Sequence, residues 1–398
     1  MDIIFISSIY PPDREEEIRQ NSKFGIDNAS NNLQWAILTG LDFFYPSLRV
    51  ISQPGIGTYP LKYKKLFLKK SIFAHKKGAV DYCLGFINVP LIKHVIKTID
   101  LYKTLKKNIN PNIETTIVIY AVHSPYLKAA IEAKRNNDKI KICQIVPDLP
   151  QYMSESRNPI YRFLKSIDAI VINKYIKKVD SFVLLSEYMT SALKVGKRPW
   201  TRVEGIFQQS DNIEYELKEE YKTILYTGTL ARRYGIINLL DAFDAIKDSN
   251  YRLWICGEGD SRNEIEKRKK SDARIKYFGQ LRYNQILTLQ KKATVLVNPR
   301  TSEGDFTKYS FPSKTMEYLA SGTPCITYRL QGIPEEYFQY CFIVKNENIE
   351  GLKEMIIDVC EKDQLELNEI GRKASLFIQK NKNPIAQVKR ISEMINKI

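Results

Sequence analysis

The feature that most constrains this fold is a rhythm. Short, near-continuous apolar runs rich in β-branched residues alternate with amphipathic stretches of helix length. In the first half the runs fall at 3–8, 49–53, 82–88, 116–122, 141–146 and 181–185; in the second half they fall at 223–227, 251–256, 275–278, 294–298, 324–327 and 342–344. Strings such as AIVI, FVLL and TVLV carry no polar alternation, as expected where helices cover both faces of a sheet. Strand-length runs separated by helix-length segments (125–135, 236–246, 260–270 and a short one at 334–338) read as βαβ units on parallel sheets. The predicted class is α/β.

At 398 residues the chain is long enough for two domains. A polar, acidic, strandless stretch, FQQSDNIEYELKEE at 207–220, precedes the fresh strand TILYTG and reads as a linker. The expected division is an N-terminal domain over 1–207 and a C-terminal domain over 208–382. An amphipathic helix over 383–398 would follow, placed to pack back on the first domain. Two doubly wound domains facing across a cleft would hold a ligand at the carboxyl ends of both sheets.

Charge is distributed unevenly. Lys and Arg number 61 against 45 Asp and Glu, for a net charge of +16. The first 200 residues hold 30 basic and 17 acidic side chains, the remainder 31 and 28. Most of the excess lies in residues 61–107, where twelve lysines face only Asp81 and Asp100, interleaved with Tyr63, Phe67 and Phe73 and preceded by Tyr59. Basic residues mixed with aromatics and leucines suit an anionic bilayer surface. They also suit a nucleic-acid backbone, or an ordinary solvated surface. Six singly spaced cysteines fit neither a zinc nor a disulfide framework and point to a reducing cytosol. No signal-peptide pattern and no span of about 18 apolar residues is present.

Two segments carry the densest chemistry. In NPRTSEGDFTKYSFPSKTMEYLASGTPCITY, a strand runs through a polar loop into a helix opening at SFPSK. Pro312 suits a first-turn position and Ser310 or Ser313 could cap the helix. The amides and dipole of such a helix start attract an anion such as a diphosphate, which places Ser310, Phe311, Pro312, Ser313 and Lys314 at a candidate site. Glu317, a turn further on, could accept hydrogen bonds from paired sugar hydroxyls. In YTGTLARRYG, Gly228 and Thr229 end a strand and Arg232 or Arg233 offers a forked donor to phosphate oxygens. Gly257, in WICGEGD, repeats the strand–glycine–helix arrangement; this G-x-G alone is a weak signal. His123 ends the strand TTIVIYAV in the tripeptide His-Ser-Pro, and Asp148 in VPDLPQYM reaches the same expected rim. Each motif has an ordinary counterpart: a capped helix, a solvated arginine pair, a structural histidine, a turn cap.

Together these residues resemble the retaining glycosyltransferases of the GT4 family, whose GT-B fold is two facing Rossmann-like domains. The likeness is strongest over 226–328 and extends to His-Ser-Pro at His123. It is greatest to the branch from bacterial capsule, O-antigen and exopolysaccharide clusters, through FGIDNASNNLQW, HSPYLKA, VPDLPQYM, YTGTL, RYGI and SFPSKTMEYLASGTP.

The resemblance implies a nucleotide-diphosphate sugar as donor, its ribose on Glu317 and its diphosphate against Arg233 and the helix start at 312–314. It implies catalytic-centre roles for His123, Arg233 and Glu317, and a lipid-linked oligosaccharide acceptor near Gly25, Asn28, Asn31 and Asp148. It also implies no metal, no further cofactor and no nucleic-acid partner, with the protein held peripherally at the inner face of the plasma membrane through residues 61–107. Two departures stand out. Tyr309 occupies the place of the first of the family's two glutamates, with Glu303 or Asp305 as possible substitutes. Thr229 and Tyr234 occupy the usual phosphate-binding Arg and Lys positions. A GT-B epimerase and a nonenzymatic glycan- or nucleic-acid-binding protein are the alternatives.

Overall fold

The computed structural model describes residues 1–90, 92–149, 159–208 and 216–398. Residues 150–153 of VPDLPQYM and 209–215 of the expected linker lie outside them. The chain forms two compact units, one of residues 1–206 with 384–398 and one of residues 207–383.

Ten strands belong to the first unit: β1 (Asp2–Ser7), β2 (Arg49–Ser52), β3 (Phe67–Leu68), β4 (Ser71–Phe73), β5 (Asp81–Cys83), β6 (Phe86–Ile87), β7 (Thr115–Tyr120), β8 (Ile140–Val146), β9 (Ser181–Leu184) and β10 (Trp200–Arg202). Eight of them form a sheet in the order β10-β9-β8-β7-β1-β2-β5-β4, parallel except for β4 against β5. Chain order reverses between β1 and β7, which pair with Ile4 opposite Ile117. That reversal is the topological switch, where the crossovers leave a crevice at the strands' carboxyl ends. Val118, Ile145 and Val183 pack in the same core as Val388 and Ile391 of the closing helix Pro384–Ile395. Each such side chain contributes about 1.5–3 kcal/mol on burial.

The second unit holds β11 (Lys222–Thr227), β12 (Tyr251–Cys256), β13 (Ile275–Tyr277), β14 (Val295–Asn298), β15 (Cys325–Thr327) and β16 (Cys341–Ile343). They form one parallel sheet in the order β13-β12-β11-β14-β15-β16, with the switch between β11 and β14. Ile224, Leu225, Leu253, Ile255, Leu296 and Val297 are fully buried, as runs covered on both faces must be.

Several sequence expectations are corrected. AIVI at 169–172 lies inside the helix Pro159–Ile176, because an apolar run of that length fits a helix face as readily as a strand. The run 82–88 divides into β5 and β6, interrupted at Leu84 and Gly85. Residues 61–107 are not one open basic surface. They hold β3 to β6 and nearly all of the helix Ile92–Asn108, and they bury Tyr63 and Phe73. Asp81 is fully buried and accepts hydrogen bonds from Val50 N at 2.9 Å and His75 N at 2.7 Å, which ties this segment to the sheet. Strand β10 and the helices Ile349–Cys360 and Gln364–Asn381 were not anticipated. Among the described residues, no helix is long and apolar enough to cross a membrane.

Candidate active site

At the switch of the second unit, β11 ends in Thr227 and turns at Gly228, whose φ of 129° suits glycine. Its neighbour β12 ends at Gly257, φ 135°, and a Cβ there would lie 1.8 Å from the carbonyl oxygen of Gly228. The two glycines let two strand ends turn within contact of each other. Gly228 N donates to the Cys256 carbonyl at 3.0 Å. Beyond β14, Arg300 follows Pro299, and the loop returns through Ser310 to the helix Ser313–Ser321.

Lys314 from that helix brings its ammonium to this point. Nζ donates to Tyr226 Oη at 2.7 Å, sits 4.0 Å from the centre of the Tyr226 ring, and would lie 3.0 Å from a Cβ at Gly228. Tyr226 in turn donates to the Thr229 carbonyl at 2.7 Å, which fixes the loop. Burial lowers the Lys314 pKa to about 7, helped by Arg300 and opposed by Glu317. Arg300 is 6% exposed, lies over the rings of Phe306 at 4.7 Å and Tyr234 at 5.6 Å, and donates from Nη2 to Ser310 Oγ at 2.8 Å. Its Nε is buried without a hydrogen-bond partner. Among the described residues, neither Lys314 nor Arg300 has a carboxylate within ion-pair distance. Two converging basic side chains with no carboxylate in ion-pair contact, at a strand–helix junction, form a site suited to an anion.

The arginine pair separates. Arg233 is exposed, lies 5.2 Å from the centre of the Tyr234 ring, and acts electrostatically on Arg300. Arg232 faces the other way, its backbone N donating to Asp260 Oδ1 at 3.2 Å and its charge acting on Glu264. Glu317, half-buried, has its pKa raised by burial, with Lys314 pulling the other way. Tyr283 on the helix Tyr283–Lys292 lies in electrostatic range of that carboxyl group.

The expected serine cap is corrected. Pro312, not a serine, is the N-cap residue, and no side chain caps the helix. Ser310 is held between Arg300 and the Phe306 carbonyl, to which it donates at 3.2 Å. Pro312 has no N–H, so the helix start offers the amides of Ser313 and Lys314, while Thr315 N bonds back to the Pro312 carbonyl at 2.8 Å. Phe311 is buried and stacks at a tilt on Tyr337, 5.2 Å between centres. Thr229 and Glu303 are exposed, Tyr309 is half-buried, and the Asp305 side chain lies outside the described residues.

In the first unit, His123 is the N-cap residue of the helix Ser124–Arg135, just past β7 at the switch with β1. Ala121, two residues earlier, has φ 64°, a left-handed conformation rarely taken by a residue with a Cβ. The imidazole meets the Tyr126 ring edge-on at 5.3 Å. Its pKa is lowered to about 4, first by burial and then by Lys97, His94 and Lys93, so it is neutral at pH 7. Asp148 is exposed, its carboxyl raised by desolvation and by Asp27. Gly25 and Asn28 are exposed, whereas Asn31 is buried and its Oδ1 accepts from Tyr10 N at 3.0 Å. Asn31 therefore holds a loop, beside Gln34, which accepts from Ser8 N at 2.7 Å.

Sequence reading passed over Arg300 and Tyr226. The signal for Arg300 was a charged residue directly after a fully apolar strand, TVLVNP. Nothing in the spacing pointed to Tyr226.

Residues 207–394 match the family described as Glycosyl transferases group 1. An uncharacterized glycosyltransferase of Methanocaldococcus jannaschii is 23% identical over 228 residues, covering 53% of this chain and 62% of that relative's length. Among solved structures, the lipopolysaccharide outer core galactosyltransferase WaaB superposes with a TM-score of 0.64 at 14% identity, over 100% of this chain and 99% of that one. The Anabaena protein HepE in complex with UDP does so with a TM-score of 0.62 at 13% identity, over 100% of both chains. The fold is GT-B, and the likeness to group 1 glycosyltransferases lies over residues 207–394.

Proposed function

We propose that this protein moves a glycosyl group from a nucleotide-diphosphate sugar to a lipid-linked glycan acceptor, with retention of configuration, in the synthesis of a bacterial surface polysaccharide. The observation that carries the reading is the pair Lys314 and Arg300, converging without a carboxylate partner at the switch of the second sheet.

The chemistry follows from charge. The bond between the sugar's anomeric carbon and the diphosphate oxygen breaks, and the leaving nucleoside diphosphate gains negative charge. Lys314, Arg300 and Arg233, with the amides of Ser313 and Lys314, receive that charge on groups already oriented for it. Glu317 accepts hydrogen bonds from the ribose hydroxyls. The acceptor hydroxyl attacks on the face the diphosphate leaves and passes its proton to the leaving phosphate oxygen, which gives retention. Neutral His123 offers one donor and one acceptor to hydroxyls at the acceptor side. With these cations in place, the reaction needs neither a metal ion nor a further cofactor. The HepE complex with UDP, and the description of WaaB as a lipopolysaccharide outer core galactosyltransferase, support the donor class and the acceptor class as analogies.

Peripheral attachment to the inner face of the plasma membrane is part of the same reading. Leu61, Phe67 and Ile72 are 76%, 59% and 66% exposed, among exposed Lys62, Lys64, Lys69 and Lys70. Large apolar side chains flanked by lysines describe a bilayer-facing patch better than a nucleic-acid groove.

A panel of nucleotide sugars tested by thermal shift checks the donor assignment. A bound donor at 100 times its Kd stabilises by about 2.7 kcal/mol. The stabilisation at the same donor concentration should fall to about half or less in Lys314→Met. A donor that stabilises the variant equally would remove the site assignment.

A further inference from the structure

Two of the lysines counted with the basic surface do not belong to it. Lys93 and Lys97 stand one turn apart on the helix Ile92–Asn108, which packs along the helix Ser124–Arg135 that His123 opens. Both are half-buried. Lys93 Nζ donates to Thr58 Oγ1 at 2.9 Å, and Lys97 Nζ lies 4.2 Å from the centre of the Phe86 ring. Gln53, fully buried, ties them to the histidine: its Nε2 donates to the Lys97 carbonyl at 2.9 Å, and its own carbonyl accepts from Tyr126 Oη at 3.1 Å. Tyr126 is the residue edge-on to His123.

This cluster is short of negative charge. Among the described residues no carboxylate lies within ion-pair distance of Lys93, Lys97 or His123. Asp168 acts on the neighbouring His94, and Lys62 adds further positive charge beside Lys93. Burial, with Lys93 adding to it, lowers Lys97 to about 7. Holding like charges together at half-buried positions is costly unless an anion joins them. The cluster also lies at the switch of the first sheet, beside a helix start where Pro125 has no N–H and Tyr126 N bonds back to the His123 carbonyl at 3.1 Å, so the Ser124 amide is the donor it offers.

We propose that Lys93, Lys97 and the start of the helix Ser124–Arg135 form a phosphate site beside His123, separate from the donor site, and that the acceptor is recognised through a phosphate group. Lysines are point charges suited to phosphate, whereas planar carboxylates are matched by the arginine fork, which is missing from this group. The inference rests on the transfer reading for its meaning, but its test needs no turnover.

The full chain, carrying ring-labelled histidine and assigned with H123Q, is titrated with methyl phosphate at pH 7 and followed by NMR. The His123 signal should move to saturation. K97M should weaken the response at least about tenfold, K93M/K97M should abolish it, and K97R should retain it. Lys→Met keeps the aliphatic stem and removes an unpaired charge, and K97R guards against a merely unfolded variant. A polyprenyl phosphate in detergent forms the second arm. Equal sensitivity of both probes to K93M/K97M supports phosphate recognition. A response to the polyprenyl phosphate alone, persisting in K93M/K97M, would overturn it, as would a silent His123 signal with methyl phosphate. Lys314→Met should leave the His123 response intact, so a failed donor assignment remains distinguishable from a failed phosphate site.

Discussion

Lys314 Nζ hydrogen-bonds Tyr226 Oη at 2.7 Å and rests 4.0 Å from the centre of the same ring, so one side chain joins the end of β11 to the start of the helix Ser313–Ser321. The phenol offers an oxygen and a π-face but no formal charge. It positions the ammonium without neutralising it, as a site awaiting an anion requires.

Removing that charge should weaken donor binding more than folding. Lys314→Met is expected to raise the Kd of the preferred nucleotide sugar by at least about tenfold, equivalent to about 1.4 kcal/mol. Arg300→Met should do the same, and Arg233→Ala, exposed and at the rim, should cost less. Calorimetry on folded variants gives the ranking.

Donor affinity should depend on pH with a definite sign. The Lys314 pKa lies at about 7 in the free protein, so raising the pH through 7 discharges it and weakens diphosphate binding. Lys314→Arg, which stays charged at any accessible pH, should flatten that dependence. Calorimetry between pH 6 and about 8.5 reads it directly, over the range in which a lysine lowered by burial changes charge.

How much of this was legible in sequence depends on what each residue does. The inner strands of both sheets were legible because residues such as Val118 and Leu225 lie in continuous apolar runs; the edge strands β4 and β10, three residues each, were too short to show one. Gly228, past a strand end, and Glu317, a turn into a helix, were legible as candidates because both sit within recognisable motifs. Arg300 and Tyr226 were not, since their roles come from the pairing of β11 with β14, which brings residues over seventy positions apart to one crevice. Tyr63 and Phe73 misled for the converse reason: an aromatic among lysines reads as surface, yet Tyr63 is buried against Tyr10 and Ile18 and Phe73 on the short strand β4.

Gly257→Ala should destabilise the protein. Its Cβ would press on the Gly228 carbonyl at a φ of 135°, and a strained position of this kind costs about 1–3 kcal/mol. Chemical denaturation is the check, and donor binding should fall with it because both strand ends move.

The basic patch should bind anionic vesicles and release them as salt rises, since screening shortens to about 8 Å at physiological ionic strength. Changing Lys64, Lys69 and Lys70 to Ser should halve vesicle binding or better. Adding Phe67→Ser should remove the salt-resistant remainder. Flotation with neutral and anionic liposomes distinguishes this from an ordinary solvated surface, which would bind neither.

The most direct test of the account is transfer itself. Labelled nucleotide sugars are incubated with the full-length protein and a lipid extract of bacterial membranes, with EDTA present. The expected result is label from one donor in the organic-soluble fraction, joined with retained anomeric configuration, and lost in Lys314→Met. Conversion of the donor into an epimeric nucleotide sugar, donor binding without transfer, or transfer only when a divalent metal is restored would contradict it.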